Sequence, residues 1–217
     1  MPTANVNVLA VIVAAVATFI LGAVDVLVNN AGVMLPQSFH RSSPEEIEHT
    51  TQVNLIAPLV LTALVLPGML EREQGHIVNL GSLAGRIPPR FTESYAATKA
   101  ALIAFSAALR ASYRNKGVSA SAISPGFVTD AGMYRTLQDT THLSAPSWLG
   151  TSKPEDVARA VVRAIKHDLP EVIVNPGPMR LMLAFRDLFP RLAERGRVDV
   201  FERAARVYEE RSRTQDR

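Results

Sequence analysis

Short apolar, β-branched runs alternate along this chain with longer stretches whose apolar positions recur every three or four residues. Residues 24–28 form the first clear strand pattern, and they run into Asn29-Asn30-Ala31-Gly32. Ser42 or Ser43 can cap the helix that follows, with Pro44 in its first turn and Glu45 and Glu46 at its positive end. That helix is expected to continue past Asn54, to be perturbed at Pro58, and to end near Gly68 or within residues 71–73. Gly75 and His76 introduce a strand over 77–80, and residues 93–115 read as an Ala- and Leu-rich helix stopped at Gly117. A strand over 118–123 leads to Ser124-Pro125-Gly126. After it, Pro154-Glu155-Asp156 opens a helix through Lys166, and 172–174 is the last strand. Strands alternating with helices in this way predict an α/β fold, a doubly wound parallel sheet covered on both faces.

Two segments depart from that rhythm. Residues 127–152 have little periodicity but many Thr, Ser and Gly residues and the single Trp148, as expected of a lid over a site. The tail after Pro176 reads as amphipathic helix interrupted at Pro190 and Gly196. The whole is expected to be one incomplete domain over 1–217, with its best-defined core at 24–175 and a helical tail at 176–217.

The N-terminus admits three readings. Residues 8–23 carry no charge and are nearly all apolar, and the apolar character resumes through Val28. A secretory signal needs a basic segment ahead of the apolar run, and residues 1–7 hold no Lys or Arg. A membrane span needs about 20 apolar residues, a length that 8–28 reaches with Asp25 near an interface. The favoured reading is a helix stopped at Gly22 and followed by a strand.

Composition narrows the chemistry. No cysteine is present, which removes disulfides, thiolate metal sites and a cysteine nucleophile and is compatible with a cytoplasmic location. The net charge of +3 is concentrated in the tail, where ten arginines face seven acidic residues from Pro178 onward. The two signs alternate there, so a nucleic-acid arm is not expected. The five histidines have no metal-ligand spacing, and no metal is assigned.

Candidate chemistry gathers where strands end. Tyr95 and Lys99 are four apart in a predicted helix, so both side chains leave one face about a turn apart. An ammonium close to a phenol favours phenolate and lowers the tyrosine pKa, which suits proton exchange with a carbonyl or alcohol oxygen. Ser82 lies thirteen residues earlier, at the carboxyl edge of a strand, where its hydroxyl can steady developing charge on oxygen or simply form a turn. Asn54 interrupts an apolar helix, where an amide needs a partner: an ordered water or a neighbouring backbone group. Asn29 and Asn30 can tie adjacent strands together, while Ala31 and Gly32 let a flat ring approach the backbone. Pro125, Gly126, Val128 and Thr129 close the next strand and can hold a carboxamide or a phosphate.

These elements, in this order, resemble the short-chain dehydrogenase/reductase family of the classical type. The matching residues are Asn29-Asn30-Ala31-Gly32, Asn54 within Val53-Asn54-Leu55, Ser82, Tyr95-Ala96-Ala97-Thr98-Lys99 and Pro125-Gly126-Phe127-Val128-Thr129. The resemblance implies a Rossmann-type sheet and an oxidoreductase that interconverts an alcohol and a ketone or aldehyde with NAD or NADP. It implies Tyr95 as acid/base, Lys99 lowering its pKa and binding the nicotinamide ribose, Ser82 orienting substrate and Asn54 holding a water. Asn29 to Gly32 would lie toward the adenosine and Thr129 toward the carboxamide, with a small-molecule substrate and a homo-oligomer built on the helices around Asn54 and Tyr95.

The sequence departs from the family in one respect. The family's glycine-rich turn precedes the Asn-Asn-Ala-Gly segment by several tens of residues, and here the only glycine before Asn29 is Gly22. The expectation is therefore an N-terminally truncated Rossmann sheet lacking the helix N-terminus that receives the pyrophosphate. Two alternatives follow: a silent fragment or pseudoenzyme unable to bind the dinucleotide, and a reductase anchored to a membrane through 8–28.

Overall fold

The computed structural model describes residues 22–130, 132–141, 145, 149–195, 201–202 and 205–207. The predicted helix over 8–21, Trp148 and the break at Gly196 lie outside the described residues. The elements in chain order are β1 (Val26–Asn29), α1 (Pro44–Thr51), α2 (Ala57–Glu71), β2 (Gly75–Leu80), α3 (Glu93–Tyr113), β3 (Val118–Pro125), α4 (Gly132–Thr141), α5 (Pro154–Lys166), β4 (Glu171–Val174), α6 (Met179–Leu188) and α7 (Pro190–Arg195).

The four strands form one parallel sheet in the order β1-β2-β3-β4. Helices cover both faces, as the alternation predicts. Ile77, Val118 and Ala120 face one way, against Met69 of α2 and Leu109 of α3. Val78, Leu80, Ile123, Val172 and Val174 face the other way, against Ala160 and Ala164 of α5. Both strands are buried on both faces, so small or apolar residues fill most of their positions, which is why β2 and β3 were visible in the sequence. At β1, by contrast, Val26 and Val28 are 43% and 42% exposed, and among the described residues the strand is paired on one side only.

Local signals set most boundaries. Ser43 caps α1 in a capping box: it accepts from the Glu46 N–H while the Glu46 carboxylate accepts from the Ser43 N–H. Gly117 stops α3 at φ 70°, where a Cβ would collide with the Glu73 carbonyl, so glycine is required there. The perturbation expected at Pro58 is a π-helical turn over Gln52–Ile56, just before it, in which the Ala57 N–H reaches back to the Gln52 carbonyl. Pro58 has no N–H to offer the preceding turn, and the helical run continues through it as α2. Pro44–Glu71 makes a 28-residue helical run long and apolar enough to cross a bilayer by length and composition. Its Met69 side packs beneath Ile77, and Leu64 is 41% exposed.

The segment 127–152 corrects the sequence reading in part. It carries a regular helix, α4, in a stretch whose many Thr, Ser and Gly residues concealed it. Its base is fastened to the sheet: Val128 bridges Ser152, and the Ser152 hydroxyl donates to the Val174 carbonyl at 3.3 Å.

Candidate active site

β2 and β3 end at Leu80 and Pro125, and α3 starts close enough to carry Tyr95 and Lys99 across the carboxyl edge of the sheet. The cavity over that edge has a volume of about 1420 Å³. Tyr95, Ser82, Lys99, Asn30, Ala31, Gly32, Pro125, Gly126 and Val128 all line it. The structure therefore brings nine of the twelve sequence-derived candidates together on one cavity.

The Ser82 hydroxyl and the Tyr95 phenol share a hydrogen bond, and Ser82 also accepts from the Ala84 N–H at 3.1 Å. One turn along α3, the Lys99 ammonium stands 5.7 Å from the centre of the Tyr95 ring and donates to the Leu80 carbonyl at 2.7 Å. Both side chains are buried. Their titration differs from the sequence expectation. Burial raises the Tyr95 phenol above its ordinary value, and the Ser82 hydrogen bond offsets this in part by favouring phenolate. Burial also pulls Lys99 down to about 8. The ammonium is directed at a backbone carbonyl and the ring face, so in this arrangement desolvation outweighs its pull on the phenol. At neutral pH the lysine is charged and the tyrosine protonated.

Asn29, Asn54 and Thr129 lie behind the cavity wall. Asn54, central in the π turn, holds the loop after Gly32. It accepts from the Val33 N–H at 2.8 Å, donates to the Val33 carbonyl at 2.8 Å and donates to the Thr98 hydroxyl at 3.2 Å. Thr98 passes a hydrogen bond on to the Tyr95 carbonyl at 2.8 Å. The amide thus orients both the Ala31-Gly32 backbone and the first turn of α3. Asn29 donates to the Asn79 side chain at 2.7 Å, tying β1 to β2. Thr129 turns its N–H (2.9 Å) and its hydroxyl (3.3 Å) to the Ser152 carbonyl, closing the base of the lid.

Sequence reasoning missed two groups. Asn79, an amide inside the apolar run of β2, links Asn29 to the Ser106 hydroxyl at 2.9 Å, and its polar character in a buried strand was the available signal. The cavity's apolar wall includes Val157 and Val161, whose four-residue spacing on α5 marked them as one face. Phe127, Tyr134 and Phe201 stack into the lid wall, with ring centres 4.8 Å and 6.0 Å apart.

The residues present fit the nicotinamide end of a dinucleotide. The cavity exceeds the roughly 300–1,000 Å³ usual for one small ligand. A Cβ at Gly32 would also project to within 3.3 Å of the Lys99 ammonium, space that the glycine leaves open.

The sequence model of the short chain dehydrogenases matches residues 3–142. Ketoacyl reductase HetN of Nostoc sp. is 42% identical over 181 residues, 81% of this chain and 62% of the relative. NADP-dependent 3-hydroxy acid dehydrogenase YdfG of Salmonella typhi is 36% identical, over 64% of this chain and 57% of the relative. Dehydrogenase/reductase SDR family member 7B of Bos taurus is 31% identical, over 79% of this chain and 54% of the relative. The chain thus spans a little over half the length of these curated relatives. Among solved structures, serine dehydrogenase from Escherichia coli superposes with a TM-score of 0.59 at 32% identity, covering 71% of this chain and 65% of that one. A 4-hydroxyisoleucine dehydrogenase complexed with NADH superposes at 0.66, with 20% identity and 82% and 78% coverage, and supports the fold alone. The parallel sheet, the matched residues and the relatives agree, and the chain is a member of the short-chain dehydrogenase/reductase family.

Proposed function

We propose that this chain carries the catalytic residues of an NAD(P)-dependent oxidoreductase that interconverts an alcohol and a ketone or aldehyde. The observation that carries this reading is the hydrogen-bonded Tyr95–Ser82 pair on the cavity, with Lys99 one turn away. Bound nicotinamide supplies or accepts the hydride. The chain's own residues supply the rest. Asn30, Ala31, Gly32, Pro125, Gly126 and Val128 form the wall on which the ring would lie, and Lys99 reaches the same space.

A substrate oxygen placed between Ser82 and Tyr95 receives a proton from the phenol as negative charge builds on it, and returns one in the oxidative direction. Ser82, with its own oxygen held by the Ala84 N–H, donates toward that charge. The phenolate left behind is stabilised by Ser82 and by the charged Lys99. Phe127, Tyr134 and Phe201 give the lid an apolar, aromatic wall on the cavity. Substitution of Tyr95 by Phe removes the proton and leaves the ring packing intact. Titration of NADH and NADPH, followed by carbonyl reduction in wild type and Tyr95→Phe, tests the reading. Dinucleotide binding with equal turnover in both proteins would end it, and absence of binding would favour a silent fragment.

The reading extends to a cytoplasmic homo-oligomer. The open apolar flank of α2, including Leu64, is a surface on which a second copy's helix can pack. Light scattering of wild type and Leu64→Glu checks this.

A further inference from the structure

The cavity continues onto an apolar wall that the chemistry above does not use. Helix α6 carries two apolar stripes. Met179 is buried and Met182 is half-buried, and both face the cavity. Leu181, Phe185 and Leu188, spaced by four and three residues, turn outward and are 73%, 46% and 72% exposed. Beyond them Phe189 and Leu192 are 50% and 54% exposed, and the Phe185 and Phe189 rings stand 5.4 Å apart. Leu181, Phe185 and Leu192 line the cavity as well as facing solvent, so they form its mouth. A globular surface seldom leaves so many large apolar side chains together without a ligand or partner to cover them.

We infer that the substrate bears its reactive oxygen at one end of a long apolar chain, which leaves the cavity through this mouth and lies along α6 and α7. The inference rests on the reading of the cavity as the substrate site. A flat partner would cover the outer stripe and leave the cavity unfilled, whereas a threaded chain covers both. Among the described residues the charged side chains lining the cavity are Lys99, Arg90 and Arg186, and none is acidic, so the chain is neutral or ends in an anion. Met34, Met133, Met179 and Met182 also line the cavity, and flexible thioethers accommodate chains of varied length.

The test is isothermal titration of the full chain with straight-chain primary alcohols from butanol to decanol. Affinity is expected to rise by about two- to fourfold per methylene, the fold-change that burying a methylene produces. In the double variant Leu181→Ser, Phe185→Ser the rise should flatten for the longer alcohols while butanol binds as before. Leu181 is 73% exposed and Phe185 46% exposed, so the thermal midpoint should fall by only a few degrees. A flat series in wild type, or an undiminished series in the variant, would overturn the inference. So would a dimer, seen by light scattering, that the two substitutions dissolve, because the stripe would then belong to a second copy. A chain-length series that survives alongside Tyr95-independent turnover would leave this inference standing and sink the proton-transfer reading instead.

Discussion

Two polar clusters sit at opposite ends of the same sheet, and they are built differently. At the amino edge, Arg110 places two nitrogens on the Asp168 carboxylate at 2.6 and 2.7 Å, and Ser119 donates to that carboxylate at 2.5 Å. Beside them the His76 ring meets the Ser121 hydroxyl at 2.8 Å, and Ser121 donates to the Leu169 carbonyl at 2.6 Å. Every group there has a partner, and the cluster ties β2, β3 and the approach to β4 together. At the carboxyl edge, Tyr95 and Ser82 pair with each other but still face a cavity, and Lys99 reaches the same space. A site is marked by polar groups whose hydrogen-bonding capacity remains directed at open space, and a count of polar residues does not find it.

The largest expected effect separates the two ends outright. Tyr95→Phe should lower kcat/KM for carbonyl reduction by at least about a hundredfold, the usual contribution of a positioned proton donor, with little change in thermal midpoint. Ser82→Ala should lower kcat by about a hundredfold through the lost donor. Comparable losses from Arg110→Ala would erase the distinction between the clusters.

Asn54→Ala comes next, and it acts on stability as well. It leaves the Val33 N–H and carbonyl without their side-chain partner, a loss of about 2 kcal/mol by urea unfolding. Arg110→Ala should cost no more than about 1 kcal/mol, because Asp168 is half exposed and its ion pair is screened by water.

The smallest effect is a pH dependence at the amino edge. Burial holds the His76 ring below the ordinary histidine value. Arg110 reinforces that shift and Asp168 opposes it. The unfolded chain therefore takes up a proton near pH 6.5 that the folded chain binds only at lower pH. Stability is present above that value and lost as pH falls through it. Thermal melts at pH 7.5 and 5.5 should show a smaller difference in His76→Asn than in wild type.

How much of this was legible follows from the same physics. The runs at 77–80 and 118–123 showed themselves because both faces of those strands are buried, and Ser43 and Gly117 because a cap and a left-handed stop each demand particular residues. Tyr95, Lys99 and Ser82 were legible from spacing and order. The direction of the Lys99 ammonium was not, because the Leu80 carbonyl it meets has no side-chain signature. Thr129 likewise turns from the cavity to a carbonyl 23 residues away. Helix α4 escaped because it lies in a Thr-, Ser- and Gly-rich stretch that resembles a loop, and the outer stripe of α6 became visible only once its inner stripe had been placed.

The wide turn over Gln52–Ile56 has a genetic consequence. It accommodates one residue more than an ordinary helical turn, so deletion of a single codon there would let the backbone rewind as uninterrupted α-helix. The turn absorbs that residue locally, so everything downstream would keep its face, with Met69 still beneath Ile77 and Leu64 still on the open flank. What would shift is the bulge itself, and with it the Asn54 amide that holds Val33 and Thr98. A single-codon deletion within 52–56 should therefore leave the chain folded while disturbing the site, whereas one between Ala57 and Gly68 would swing Met69 by about 100° away from Ile77.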